Sequence, residues 1–219
     1  MTFRSCGNTP VDLLHDVGIA IRATDVARQL MHVGLLYRST DGEQRFLHLA
    51  FHHDLQDQVA PVSPRYFWAD CAWLALPDFD VVGDTLVSYI ESVREETEVP
   101  YGFDGADVHF DGGGHYVSLD PVKGLTCATF IATVLESAGI PVVDLTTWQP
   151  REDDEEWRAV IMEALQDLAP ERAAEVAQSP MEFRLRPDEI AGASSGSKVP
   201  LVFQEAVTAA QPIRAQLFA

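Results

Sequence analysis

The sequence predicts an α+β fold in which an antiparallel sheet packs against a helix that begins near Cys127, with a second helix near residues 82–98. Two observations indicate this class. Two apolar runs joined by a short polar turn are typical of a β-hairpin, and later segments place apolar residues at the spacing of an α-helix. At 219 residues, the chain is long enough for one buried core with elaborations.

The hairpin is predicted from residues 31–37 and 45–51, which flank a polar turn that contains Gly42. Glycine suits a turn position with a positive φ angle. A third apolar run, at residues 66–76, predicts another strand that ends before Pro77.

Residues 126–137 form the most clearly delimited helix. Thr126 can cap its start, Gly139 can end it, and Pro141 blocks its continuation. Its buried stripe is predicted to consist of Cys127, Phe130, Ile131 and Val134. The Cys127 thiol is therefore expected in the first turn, on the face that packs against the rest of the protein.

Other segments give weaker signals. Residues 80–98 have apolar side chains at helical spacing, and the acidic run at 151–156 leads into a helix predicted to reach Leu168. The small residues 191–197 are predicted to form a flexible linker. Residues 199–219 are too apolar to stay solvated, so they are expected to cover part of the sheet or to rim the cleft above Cys127.

The charge balance limits the partners. The net charge is −19, from 34 acidic and 15 basic residues, and this charge would repel phosphate backbones, so nucleic acid is not an expected partner. No apolar run approaches the roughly 20 residues that a transmembrane helix needs. The N-terminus lacks the pattern of a secretory signal, which predicts a cytoplasmic protein or one exported without a signal peptide.

Three cysteines, Cys6, Cys71 and Cys127, form an odd and widely spaced set without a CxxC pair. This pattern argues against a disulfide framework and against a zinc site. Cys71 lies inside a predicted strand and is interpreted as a core residue. A free thiol is therefore available for chemistry, and no cofactor is predicted.

A second candidate for metal binding is the cluster of His52, His53 and Asp54 after the second strand of the hairpin. Neighbouring residues on a strand point to opposite faces, which separates possible ligands. No metal site is therefore predicted.

Cys127 is the candidate nucleophile. A cysteine attacks as the thiolate, and both a helix N-terminus and a neighbouring imidazolium lower the pKa of a thiol. The position of Cys127 meets the first condition. The alternative is that Cys127 is a small buried residue in a helix stripe without a chemical role.

His32 and His48 lie on the two strands of the predicted hairpin. A two-residue turn would place these histidines on opposite faces of the sheet. A three-residue loop at 40–42 would instead place Gly34 opposite His48 and point both rings to one face. The second geometry permits a relay in which His48 orients His32 and His32 shares the thiol proton of Cys127.

The order His-Val-Gly-Leu-Leu-Tyr, Phe-Leu-His-Leu-Ala and Thr-Cys-Ala-Thr-Phe resembles the circularly permuted NlpC-type branch of the papain-like superfamily, which includes lecithin:retinol acyltransferase and its relatives. The resemblance covers about residues 30–138. It implies a papain-like fold with Cys127 as nucleophile, His32 as base and His48 as the second polar residue. It also implies an acyl-enzyme mechanism, with an oxyanion held partly by N–H groups at the helix start.

These inferences predict a catalytic domain at residues 1–145 and a C-terminal elaboration at 146–219 packed on the same core. Tyr101, Tyr116 and Thr126 are candidates to line the substrate cleft, from their nearness in sequence to Cys127 and to the loop before it. The expected function is cysteine-dependent hydrolysis of an amide in a peptide, cell-wall peptide or isopeptide. Acyl transfer, lipid or thioester deacylation, and a non-enzymatic binding or immunity protein remain as alternatives. The sequence does not predict the oligomeric state.

Overall fold

The structure is a computed structural model that describes residues 3–60, 63–79, 82–105 and 107–219. Its centre is a six-stranded antiparallel sheet with the order β1-β6-β2-β3-β4-β5. The strands are β1 (Arg4–Ser5), β2 (Val17–Asp25), β3 (Leu30–Arg38), β4 (Gln44–Phe51), β5 (Asp54–Val59) and β6 (Phe67–Asp70), with a separate pair formed by β7 (His109–Phe110) and β8 (Tyr116–Val117).

Six α-helices accompany this sheet in the described ranges. They are α1 (Gly83–Val93), α2 (Cys127–Ser137), α3 (Asp154–Leu168), α4 (Pro170–Val176), α5 (Pro187–Ser195) and α6 (Phe203–Leu217), with 3-10 turns at Ala72–Ala75, Pro77–Phe79 and Leu145–Thr147. The predicted α+β class is confirmed. None of the helices within the described ranges is long and apolar enough to cross a membrane.

The central strands are buried on both faces. Val33 and Leu47 lie in the main core, on the face covered by α2 and α5, whereas Leu36 and Phe46 belong to a smaller cluster on the other face. Alternation along each strand produces this division. The main core also contains Ile190 of α5, so both predicted segments of the chain contribute to it. The division at residue 145 stays a prediction.

The sequence allowed a two-residue or a three-residue loop in the hairpin, and the structure has the three-residue loop. Leu35 pairs with Leu47, and the N–H of Ser39 donates to the carbonyl of Glu43 at 2.9 Å, which leaves residues 40–42 as the loop. Gly42 has a φ of 87°, a conformation that favours glycine. This loop places His32 and His48 on one face of the sheet, the face of Leu36 and Phe46, where the ring centroids of Phe46 and His48 lie 4.7 Å apart.

The predicted strand at residues 66–76 is too long. The strand β6 ends at Asp70, and the 3-10 turn Ala72–Ala75 follows. Trp73 and Leu74 are adjacent and both are buried in the main core. A strand would point them to opposite faces, so the turn is the geometry that buries both.

The helix predicted at residues 80–98 is shorter in the structure, where it runs from Gly83 to Val93. Residues 80–81 of that prediction lie outside the described residues. The helix ends early because no apolar residue follows Val93 until Val99. Beyond the end, the Glu96 carboxylate accepts hydrogen bonds from the backbone N–H groups of the next two residues, at 2.8 and 2.9 Å.

The prediction of a flexible linker at residues 191–197 is wrong. Most of this segment belongs to helix α5, whose residues are buried between the sheet and α6. A Cβ atom on Gly192 would lie 2.9 Å from the Cβ of Ala209, so the two helices approach closely at this point. Small side chains that look like a linker in the sequence are here a surface for close helix packing.

Candidate active site

Cys127 occupies the first position of helix α2, and Thr126 is its N-cap as predicted. The Thr126 hydroxyl accepts a hydrogen bond from the N–H of Thr129 at 3.2 Å, and the Thr129 hydroxyl accepts one from the N–H of Thr126 at 2.8 Å. This capping box fixes the start of the helix. The cap does not use the N–H groups of Cys127 and Ala128, which favour the thiolate of Cys127.

Burial has the largest effect on the pKa of the Cys127 thiol. Cys127 is 8% exposed, and burial raises its pKa to about 11. The backbone N–H of Val33, the charge of Arg184 and the N–H groups of the helix start act in the opposite direction. The N–H groups at the helix start therefore favour the thiolate as their position predicted, but desolvation is the larger effect and the pKa of the thiol is raised.

The two histidines contact each other directly. His32 Nε2 and His48 Nδ1 lie 2.8 Å apart, and the rings meet edge to face at an interplanar angle of 80°. Gly34 leaves the space for this contact, since a Cβ there would lie 2.7 Å from the Cβ of His48. The contact occupies Nε2 of His32 and leaves Nδ1 of that ring for another partner.

Both rings are neutral near pH 7. The pKa of His32 is lowered to about 3, chiefly by burial and also by the charges of His48 and Arg22. Burial also lowers the pKa of His48 to about 4, although the Asp54 carboxylate partly opposes this shift. A neutral imidazole can accept a proton, but the lowered pKa also makes His32 a weaker base, so proton transfer from Cys127 depends on the attraction between the two charges that it creates.

Strands β3 and β4 separate next to the histidines. Their pairing runs from Arg38 back to Leu35 and stops there. Val33 lies in the part of β3 that pairs with β2 but not with β4, and its N–H favours the Cys127 thiolate by hydrogen bonding. The sulfur therefore lies beside the residue that follows His32. In the described ranges, no hydrogen bond joins this sulfur to either imidazole ring.

A cavity of about 180 Å³ lies over this position, and both Cys127 and His32 line it. Tyr101 and Thr126 also line the cavity. Tyr116 does not line it, and its hydroxyl donates to the carbonyl of Lys123 at 3.3 Å. Two of the three predicted lining residues are therefore at the cavity.

The C-terminal third closes one side of the cavity, but not with the predicted segment. The lining residues from this part of the chain are Trp157, Ile161, Arg184, Leu185 and Pro187. No residue of 199–219 is among them, so the expectation that the tail rims the cleft is wrong. Helix α6 instead packs on α5.

Arg184 was not predicted from the sequence, although it lies in the cavity wall. It follows α4 in an irregular segment, and neither a motif nor a periodic pattern surrounds it. Its guanidinium lies over the ring of Trp157, 4.1 Å from the ring centroid. Only the tertiary structure brings these two side chains beside Cys127.

Another arginine holds the segments that lead into the site. Arg172 of α4 is 2% exposed and donates to the carbonyls of Tyr101 and Pro121 at 2.7 Å, Val122 at 2.8 Å and Lys123 at 2.9 Å. These carbonyls belong to two loops that meet just before α2. The C-terminal helices therefore help to position Cys127.

His52 and His53 lie in the turn between β4 and β5, not on a strand. His53 has a φ of 51°, and the two rings stack with centroids 3.8 Å apart, so they do not point to opposite faces as expected. His52 Nδ1 accepts a hydrogen bond from the N–H of Tyr101 at 3.3 Å. Across the described ranges, no group of three or more potential ligands is arranged to hold a metal ion.

The fold and site define an α+β protein with a mostly antiparallel sheet, in which a helix-borne cysteine and one of two paired histidines line the same cavity. No family model, no curated protein and no solved structure matches this chain. The function is therefore inferred from the chemistry of the site itself.

Proposed function

We propose that this chain is a cysteine hydrolase of the permuted NlpC, papain-like type, which cleaves an amide bond with Cys127 as nucleophile, His32 as base and His48 as orienting residue. The observation that carries the proposal is the 2.8 Å contact between His32 and His48 at a cavity that also contains Cys127 in the first helical turn. A nucleophile, a base and a group that orients the base are the parts that covalent catalysis requires.

The first step starts from a neutral thiol and a neutral imidazole. The Cys127 sulfur attacks the substrate carbonyl while Nδ1 of His32 takes the thiol proton. For this, Nε2 of His32 carries the ring proton and donates it in the hydrogen bond to His48 Nδ1. Burial disfavours each charge alone, but thiolate and imidazolium form together as opposite charges that attract each other.

The second step releases the amine. The tetrahedral oxyanion accepts hydrogen bonds from N–H groups at the start of α2, which the capping box leaves available. As the C–N bond breaks, the His32 imidazolium gives its proton to the departing nitrogen, and an acyl group remains on Cys127. Water, deprotonated by His32, then releases the carboxylic acid. Another acceptor in place of water would make the same site an acyltransferase, and a thioester or lipid ester in place of the amide would make it a deacylase.

A second candidate function is binding without covalent chemistry, as in a non-enzymatic or immunity protein. One observation favours it: burial raises the pKa of Cys127 to about 11, which leaves little thiolate at neutral pH. In this case Cys127 is a core residue and the cavity holds a ligand that is not cleaved.

Substrate turnover separates the two candidates. A panel of peptide amides, esters and thioesters is incubated with the native protein, with Cys127→Ala and with Cys6→Ala. Cys6 is a matched control because it is 9% exposed and burial raises its pKa to about 11, yet it does not line the cavity. The proposal expects turnover by the native protein and Cys6→Ala only. No turnover by the native protein favours binding, whereas equal turnover by Cys127→Ala would show that the nucleophile lies elsewhere.

A further inference from the structure

Arg184 is a buried cation in the wall of the Cys127 cavity. It is 9% exposed, and its guanidinium stacks on Trp157, which lines the same cavity. Its Nε has no hydrogen-bond partner in the described ranges, and no carboxylate there forms an ion pair with it. A buried guanidinium without an anion is costly unless another group neutralises it.

The neighbouring carboxylates are already engaged. Arg151 pairs with Glu189, and Arg186 pairs with Asp153 at 2.5 Å and with Asp154 at 3.5 Å. Asp154 also accepts a hydrogen bond from the N–H of Arg151 at 2.9 Å. The fold thus pairs the arginines on either side of Arg184 and leaves Arg184 facing the cavity.

The protein stabilises the Arg184 charge only in part, through the Trp157 ring and the more distant Asp154 carboxylate. The pKa of Arg184 is lowered to about 10, chiefly by burial and also by the charge of Arg186, while Asp154 opposes these effects. The chain has 34 acidic residues, so a shortage of carboxylates does not explain the missing partner. An anion that enters the cavity would supply it.

The rest of the wall limits the size and polarity of a ligand. Apolar lining residues include Leu30, Met31, Leu49, Phe51, Ile161 and Leu185. A cavity of about 180 Å³ holds a compact group rather than a long polymer segment. A guanidinium binds a carboxylate through two parallel hydrogen bonds, which also fixes its orientation.

We propose that Arg184 binds a carboxylate of the substrate next to the carbonyl that Cys127 attacks. The substrate is then a small acyl compound with an apolar body and a carboxylate a few bonds from the scissile carbonyl, which rests on the proposed function of Cys127. Arg184 is in this role a specificity-determining residue, since it selects anionic over neutral substrates of the same shape.

The test compares two reagents of nearly equal size, iodoacetate and iodoacetamide, as alkylating agents of Cys127 at pH 8. The ratio of their rates is expected to fall about tenfold in Arg184→Gln, because the anionic reagent loses its partner. Arg28→Gln, which removes the same charge from an exposed position, should leave the ratio unchanged. Arg184→Lys should give a ratio between those of the native protein and Arg184→Gln. It replaces Arg184→Gln in the comparison if that variant does not fold.

The substrate carboxylate could be a chain terminus or a side chain. Two ligands distinguish these sources by whether they protect Cys127 from iodoacetamide. N-acetylalanine presents a terminal carboxylate, and N-acetylglutamic acid α-amide presents a side-chain carboxylate. Protection by either one that is lost in Arg184→Gln supports the proposal and names the source. Protection by neither, or an iodoacetate to iodoacetamide ratio that does not change in Arg184→Gln, overturns it.

Alkylation requires no turnover, which keeps the two proposals separate. A retained preference for iodoacetate in a protein that forms no acyl-enzyme would overturn the hydrolase function alone. An acyl-enzyme that forms without any dependence on Arg184 would overturn the role of Arg184 alone.

Discussion

His32 Nε2 lies 2.8 Å from His48 Nδ1, across a gap that Gly34 keeps open. The contact joins two strands at the point where their backbone pairing has already stopped. It therefore replaces a ladder hydrogen bond with a side-chain hydrogen bond that fixes the orientation of the His32 ring.

The roles of the two histidines predict unequal losses on substitution. His32→Gln removes the base and should slow acylation by about 10² to 10⁴-fold. His48→Gln keeps a hydrogen-bonding group and should lose about tenfold, because the orienting residue only has to hold a tautomer. Acylation by p-nitrophenyl acetate measures both. Equal losses would leave no distinction between the roles, and a larger loss in His48→Gln would reverse them.

Gly34→Ala should displace the histidine pair while both imidazole rings remain present. The new Cβ would lie 2.6 Å from the Phe46 ring and 2.7 Å from the Cβ of His48, so His48 must move. We expect a loss of stability of about 1–3 kcal/mol and slower acylation. Gly83→Ala is the control, since a Cβ added to Gly83 would have no atom within 4 Å. Native acylation in a folded Gly34→Ala would show that the contact is dispensable.

The pKa of Cys127 predicts how its alkylation depends on pH. Only the thiolate reacts, and below a pKa of about 11 its fraction rises about tenfold for each pH unit. Iodoacetamide labelling of Cys127 should therefore increase steadily between about pH 7 and pH 9. Cys6, whose pKa burial also raises to about 11, should show the same slope. A plateau for Cys127 that begins below pH 7 would instead indicate a preformed thiolate and imidazolium pair.

Arg172 predicts that the C-terminal helices stabilise the catalytic segment. Arg172→Ala removes a donor from four carbonyls, of which that of Lys123 still accepts from the Tyr116 hydroxyl, and should lower the free energy of unfolding by about 3–5 kcal/mol, measured by urea denaturation. Arg158→Ala is a matched control, because the half-buried Arg158 side chain also donates to backbone carbonyls, but near the end of α4. Similar losses in both variants would argue against a special role for Arg172.

Local signals explain what the sequence could predict. Helix α2 has a capping threonine and Gly139 at a φ of 82°, so its bounds follow from neighbouring residues alone. The length of the loop at Gly42 determines to which face of the sheet the His32 and His48 side chains point. The sequence allowed two lengths, and only the structure chose between them.

Long-range contacts explain what the sequence could not predict. Residues 191–197 resemble a linker until the position of Ala209 shows that small side chains are needed there. Arg184 has no local pattern, and its place beside Cys127 depends on how the chain after α4 returns to the sheet. The raised pKa of Cys127 likewise depends on burial, which a helix position alone does not reveal.

The central claim is that Cys127 attacks a carbonyl with His32 as its base. Its most direct test is mass spectrometry of the intact protein after brief exposure to p-nitrophenyl acetate at pH 7.5, with peptide mapping of the modified residue. The native protein should carry one acetyl group on Cys127, formed about 10²-fold faster or more than in His32→Gln. No acetyl group on Cys127, or equal rates in the native protein and His32→Gln, would contradict the claim.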